Sequence, residues 1–133
     1  MAYFLLDTHA WSWNLTVDPR LPPAILQLIN SADGIHVSPL TFYEIAQKVR
    51  LGKWPEMAPY VERLPTLISQ QKGHVASLTP QMAVLGASLE WDHRDPFDRM
   101  IAATAIAMNL PLISADSAFD ALSDREDWPG RVW

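Results

Sequence analysis

Asp95-Pro96-Phe97-Asp98-Arg99-Met100-Ile101-Ala102-Ala103-Thr104-Ala105-Ile106-Ala107-Met108-Asn109-Leu110-Pro111-Leu112-Ile113-Ser114-Ala115-Asp116 is the stretch from which the architecture can be read. Asp95 offers a side-chain acceptor at a helix N-cap, and Pro96 follows where a missing N–H costs nothing. From Phe97 to Met108 the residues are apolar on nearly every side, with Thr104 the main polar exception. That pattern predicts a helix buried all round. Asn109 supplies a left-handed terminator and Pro111 stops the helix resuming. Leu112 to Ala115 is short enough for a buried strand, with Asp116 at its end. One carboxylate, Asp98, therefore lies in the first turn of a core helix, and another, Asp116, at a strand end. Charge placed there is costly unless a cation neutralises it. A plainer account also exists: Asp95-x-x-Asp98 fits a capping pair, and Asp116 fits a turn residue.

Working outward, Tyr3 to Leu6 is a continuous apolar run that ends at Asp7, the pattern of a buried parallel strand. Asp7 then stands where Asp116 does, at the carboxyl end of a core strand, the edge on which open α/β sheets bind ligands. Thr8 to Trp13 opens a helix or a structured loop, with His9 expected to pack beside Trp11 and Trp13. Pro22 to Asn30 reads as an amphipathic helix closed by Asp33-Gly34. Ile35 to Ser38 is the second strand. Leu40 to Leu51 is a helix with Phe42, Ile45, Ala46 and Val49 inward. In it, Thr41-x-x-Glu44 fits a capping box, while the position of Glu44 past a strand end also directs it to the same sheet edge. Lys48, Arg50 and Lys53 form a modest basic cluster suited to a helix C-terminus. Ala58 to Lys72 is expected as a helix with an irregular start at Pro59 and Pro65, and Val75 to Leu78 as a third strand. Gln81 to Leu89 is a helix capped by Thr79-Pro80. Trp91 to Arg94 is a loop, Ala118 to Leu122 a helical turn, and the tail from Trp128 to Trp133 a short edge strand or an interface.

The chain has 133 residues, 49% of them hydrophobic, which suits a single domain, residues 1–133, with its own core. It has no cysteine, so disulfides, thiolate zinc sites and a cysteine nucleophile are excluded. Asp7 interrupts the N-terminal apolar run and no basic n-region precedes it, so no signal peptide is expected. No apolar run approaches the length of a membrane span, and the expected location is cytoplasmic. Net charge is −5, which by itself argues against nucleic acid. Two bound dications would take −5 to −1, so the balance does not exclude a phosphate-bearing substrate.

Asp7, Glu44, Asp98 and Asp116 thus fall at strand ends or in first helical turns, and parallel strands would gather them on one edge. No Lys or Arg is evenly interleaved with them in the sequence, so a hard oxygen-seeking cation is the expected neutraliser, Mg²⁺ or Mn²⁺. A site with two such ions stabilises the attacking and leaving oxygens of an in-line displacement, the chemistry of phosphodiester hydrolysis.

In order and spacing, four segments resemble a PIN-domain ribonuclease of the VapC toxin type. They are Phe4-Leu5-Leu6-Asp7-Thr8-His9, Ser38-Pro39-Leu40-Thr41-Phe42-Tyr43-Glu44-Ile45, the run from His93 to Arg99 with Ile101 to Ala105, and Leu110 to Asp116. The resemblance spans essentially the whole chain. It implies an α/β/α three-layer sandwich with a mostly parallel central sheet, and a metal-dependent endoribonuclease. Asp7 and Asp98 match the family's main metal-binding aspartates, Glu44 its glutamate and Asp116 its last acid. Asp95 matches an auxiliary acid, and Thr8 and Ser114 match hydroxyls near the pocket. Where many relatives have Thr and a basic residue before the last acid, this chain has Ser114-Ala115. The implied mechanism is in-line attack by a metal-activated water, leaving 5′-phosphate and 3′-hydroxyl ends, with Arg94, Arg99 or Lys48 drawing the RNA phosphates. A VapB-type antitoxin and a homodimer are the implied partners, with Trp11, Trp13, Phe42 and Tyr43 near their contacts or in the core.

Two other phosphate chemistries place aspartates at strand ends. A haloacid-dehalogenase-like domain requires a second Asp two residues after the first, but Thr8-His9 follow Asp7. A receiver-like domain requires an Asp after a middle strand and a Lys after a late one, where this chain has Ser38-Pro39 and Asp116-Ser117. A catalytically inactive interaction module would leave the acids unexplained.

Overall fold

A computed structural model describes residues 2–133. Its frame is a sheet of five short strands: β1 (Tyr3–Leu6), β2 (Gly34–Val37), β3 (Gly73–Val75), β4 (Leu112–Ile113) and β5 (Arg131–Val132). They lie in the order β3-β2-β1-β4-β5, and every pairing is parallel. The expectation of a mostly parallel sheet is met by one that is parallel throughout among the described residues. β1 is central, with Leu5 paired to His36 on one side and to Leu112 on the other. The chain turns from building one half of the sheet to the other between β1 and β4. A crevice opens beyond the strand ends at such a reversal.

Alternation along the strands builds a core on each face. Phe4 and Leu6 of β1 and Ile113 of β4 point into one cluster, and Leu5 and Leu112 into the other. The first is covered by α1 (Thr8–Thr16), α2 (Pro23–Ser31), α3 (Pro39–Arg50) and α4 (Leu64–Gln70), and holds Trp11, Ile25, Ile45 and Ile68. The second lies under α6 (Pro96–Met108), with α5 (Pro80–Ser88) packed on it through Leu85, and holds Ile101, Ala102, Ala105 and Phe119. The result is the three-layer sandwich that the family resemblance implies.

Several boundaries differ from the sequence reading. The segment predicted as one helix from Ala58 is a 3₁₀ helix, Pro55–Arg63, followed by α4. Pro55, Pro59 and Pro65 break the α-helical ladder repeatedly, so the tighter coil takes over. β3 ends at Val75 and does not run on to Leu78, because Gly73 and His74 carry the pairing with Ile35 and His36. Gly73 is required there: a Cβ would meet the carbonyl oxygen of Ile68 at 2.6 Å. α6 is fully buried only from Ile101 to Ala105, while Ala107 and Asn109 reach the surface. Among the described residues, no helix is long and apolar enough to cross a membrane.

Candidate active site

Asp7 leaves β1 and caps α1, its Oδ1 accepting the Ala10 N–H at 2.8 Å. It is 8% exposed. Burial pushes its carboxyl up from the ordinary value. The Ser114 hydroxyl, the Ala10 N–H and the charge of His9 pull it back, and Glu44 pushes it up again. Ser114, fully buried beyond β4, also accepts the Asp116 N–H at 3.0 Å. One hydroxyl thus faces both strand-end aspartates across the β1–β4 reversal. Asp116 is exposed and caps the 3₁₀ turn Ser117–Leu122, accepting the Ala118 N–H at 2.9 Å.

On the β2 side, Ser38 and not Thr41 caps α3, taking the Leu40 N–H at 3.1 Å. The capping-box account of Thr41 and Glu44 is therefore overturned: with Pro39 at the first helical position, the helix starts three residues earlier. Thr41 is instead buried with its hydroxyl 3.1 Å from that of Thr8. This contact ties the starts of α1 and α3 together. Glu44, one turn on and 8% exposed, has its carboxylate held by Lys48 Nζ at 2.8 Å. Although no Lys or Arg is evenly interleaved with the acids in the sequence, an i,i+4 pair brings Lys48 to one of them.

Asp95 caps α6, its Oδ1 accepting the Phe97 N–H at 2.9 Å. Asp98 does not complete a reciprocal cap. Its Oδ2 lies 2.6 Å from His93 Nε2. Burial pushes the Asp98 carboxyl up to about 6; the His93 hydrogen bond pulls against this, and the charges of Asp95 and Glu44 add to it. Glu44 therefore acts on both Asp7 and Asp98, and Asp98 lies beside Asp116. Ligand atoms of His93, Asp98 and Asp116 all fall within 4.8 Å of one another. Of the four acids named from the sequence, Asp98 and Asp116 meet beside His93, while Asp7 and Glu44 stand outside that cluster, Glu44 close enough for its charge to act on both Asp7 and Asp98.

These donors are carboxylate oxygens and one imidazole nitrogen, without a thiol, a set that fits a hard or borderline divalent ion. An octahedral ion with oxygens at about 2.1 Å sets opposite donors about 4.2 Å apart. His93, Asp98 and Asp116 would hold such an ion between them.

Residues 4–124 match the family model of the PIN domain. The chain belongs to the PIN-domain family. It is 29% identical to Ribonuclease VapC22 of Mycobacterium tuberculosis over 134 residues, covering 100% of both chains. Its fold resembles VapBC2 from Rickettsia felis, solved bound to a DNA fragment from the promoter, with a TM-score of 0.67 at 18% identity over 98% of this chain and 97% of that one. It also resembles FitAB bound to an IR36 DNA fragment, with a TM-score of 0.56 at 19% identity over 88% and 90%. Membership of the PIN family decides against the receiver-like and dehalogenase-like readings.

Three side chains of this PIN domain add to the sequence reading or depart from it. His93, in the loop before α6 where the sequence places it, lies with Asp98 and Asp116 as a candidate ligand. Its signal was a position five residues before Asp98, across a proline-led helix start that folds the chain back on itself. Arg99 points away from any open phosphate site: its guanidinium donates to the carbonyls of Gly86, Ala87, Leu89, Trp91 and His93. His9 is exposed, yet its ring packs beside Trp13 at 5.7 Å as expected, with Trp54 and not Trp11 as its other neighbour. Of the aromatic group, Trp11 is wholly buried and donates to Gln71 Oε1 at 2.8 Å, while Tyr43 is 58% exposed.

Proposed function

We propose that this PIN domain is a metal-dependent endoribonuclease, the toxin of a toxin–antitoxin pair, hydrolysing RNA phosphodiester bonds. The observation that carries the reading is the meeting of His93, Asp98 and Asp116, with Glu44 close enough for its charge to act on Asp7 and Asp98 and with both of those carboxyls pushed up by burial. Carboxyls in that state await a counter-charge. The full-length likeness to a VapC ribonuclease supports RNA as the substrate.

Asp7, Asp98 and Asp116 hold Mg²⁺ or Mn²⁺, with Glu44 completing the site and His93 as an added donor. When bound, such an ion lowers the pKa of water and stabilises charge on the attacking and leaving oxygens. The chain's own part is to hold the acids in place. Ser114 orients Asp7 and fixes the backbone before Asp116. The Thr8–Thr41 contact sets the distance from β1 to the turn that carries Glu44. Asp95 anchors the first turn of α6, so that Asp98 faces the crevice. Lys48 balances Glu44 and is near enough to meet a phosphate, and exposed Arg94 is a second candidate. A VapB-type antitoxin and a second copy of the chain are the proposed protein partners; the VapBC2 and FitAB complexes support the first.

Incubation of the purified protein with total RNA and Mn²⁺ tests this. Cleavage is expected, with 5′-phosphate and 3′-hydroxyl ends, and it should stop in excess EDTA and in Asp98→Asn. Undiminished cleavage in either case would sink the metal mechanism. Ends bearing 2′,3′-cyclic phosphate would point to attack by the ribose hydroxyl and not by water.

A further inference from the structure

Beside the acid crevice lies a cleft of a different character. It encloses about 320 Å³. His9, Trp13 and Trp54 give it rings, Arg20, Lys48 and Lys53 give it charge, and Glu56 is the one acid in its lining. The His9 ring stacks on Trp54 with centroids 4.9 Å apart and planes 27° apart, and meets Trp13 at 5.7 Å. Arg20 lies over Trp13 at 5.0 Å and Lys48 over Trp54 at 5.6 Å. Lys48 is also the residue that holds Glu44, and His9 follows Asp7 by two residues, so the cleft and the acids share a wall.

The charge distribution decides what fits. The chain carries −5 overall with 10 Lys and Arg, yet three of them line this cleft: Arg20 is paired with Asp18 and Lys48 with Glu44, which leaves Lys53 as the cation open to a ligand. An apolar helix seated here would strip water from all three. An acidic peptide would use the charge but not the stacked rings. Single-stranded nucleic acid uses both, since every base has a face to stack and every linkage a phosphate to neutralise. The volume lies at the lower end of the roughly 300–1,000 Å³ that holds small ligands, room for about one nucleotide.

We propose that this cleft binds one nucleotide of single-stranded RNA beside the scissile phosphate, its base on the Trp54–His9–Trp13 rings and its phosphate on Lys53. The proposal rests on the ribonuclease reading and adds a subsite that selects for unpaired RNA. Paired bases cannot stack on protein rings, so a duplex is excluded.

The test uses a labelled random-sequence single-stranded RNA of twelve nucleotides, with cleavage followed in Mn²⁺ and binding in EDTA. Trp54→Ala is expected to raise KM about 5-fold or more with a smaller effect on kcat, and to weaken binding to the same degree. Trp54→Phe should restore most of both. Lys53→Glu should weaken binding and lower its salt dependence by about one ion. Lys53 is exposed, so this variant tests the cleft even where a Trp54 variant folds poorly. Variants equal to the wild type in KM and in binding, with metal-dependent cleavage intact, overturn the cleft and leave the ribonuclease standing. That is also the result if a partner protein is its occupant. A wild type that binds the oligomer through Trp54 but never cleaves it sinks the ribonuclease reading and keeps the cleft as a single-strand site.

Discussion

Asp98 is the residue on which the electrostatics turn. Its carboxyl stands at about 6 in the folded chain against an ordinary value of 3.8. The folded state therefore holds the proton more tightly than the unfolded one. Stability from this group is full below pH 3.8, falls as pH rises, and is gone above about 6. The loss amounts to on the order of 1–3 kcal/mol. Asn at this position cannot ionise. Metal-free Asp98→Asn is thus expected to gain on the wild type as pH climbs from 4 to 7.5, read as a widening gap in Tm in EDTA. A gap that stays constant or narrows would mean that Asp98 is not held against its ionisation. The variant that loses activity should be the sturdier protein, as expected where a site stores charge for a ligand.

At the scale of elements, α6 does more than present Asp98. Arg99 reaches back to five carbonyls between Gly86 and His93, which fastens the C-terminal end of α5 and the loop carrying His93 to the start of α6. A planar five-donor group makes this possible, and lysine cannot reproduce it. Arg99→Lys is expected to cost about 2 kcal/mol or more in urea unfolding, because carbonyls are left unpaired. If Arg99 instead served RNA, the same change would raise KM and leave unfolding untouched. β1, β2 and α6 were legible from the sequence because their apolar runs are bounded by strong signals: Asp7, Ser38-Pro39, and Asp95-Pro96 with Asn109. The 3₁₀ stretch and β3 were not. Prolines at 55, 59 and 65 support more than one kind of turn, and Gly73-His74 become a strand only because β2 offers them a free edge.

For the whole molecule, the site lies where the sheet changes direction, and it draws on β1, α3, α6 and the end of β4. An ion bound there ties both halves of the sheet together and binds only the folded chain. At about 100 times its Kd it should add about 2.7 kcal/mol, a rise in Tm of roughly 10 °C. Mn²⁺ is expected to give such a rise in the wild type, reversed by EDTA, and much less in Asp98→Asn. Equal rises in the two proteins would place the ion elsewhere.

The sequence by itself marked the strands, the helix caps and the four acids, since periodicity, caps and strand ends are local properties, and the resemblance to the PIN family implied the layers. The tertiary structure alone decided which groups meet those acids. His93 reaches Asp98 because a proline-led cap turns the chain back, Lys48 reaches Glu44 on a shared helix face, and Ser114 stands between two aspartates because β4 lies beside β1. The cleft of His9, Trp13 and Trp54 belongs to the same class. Its rings come from segments some forty residues apart, and no spacing along the chain records which of them will stack.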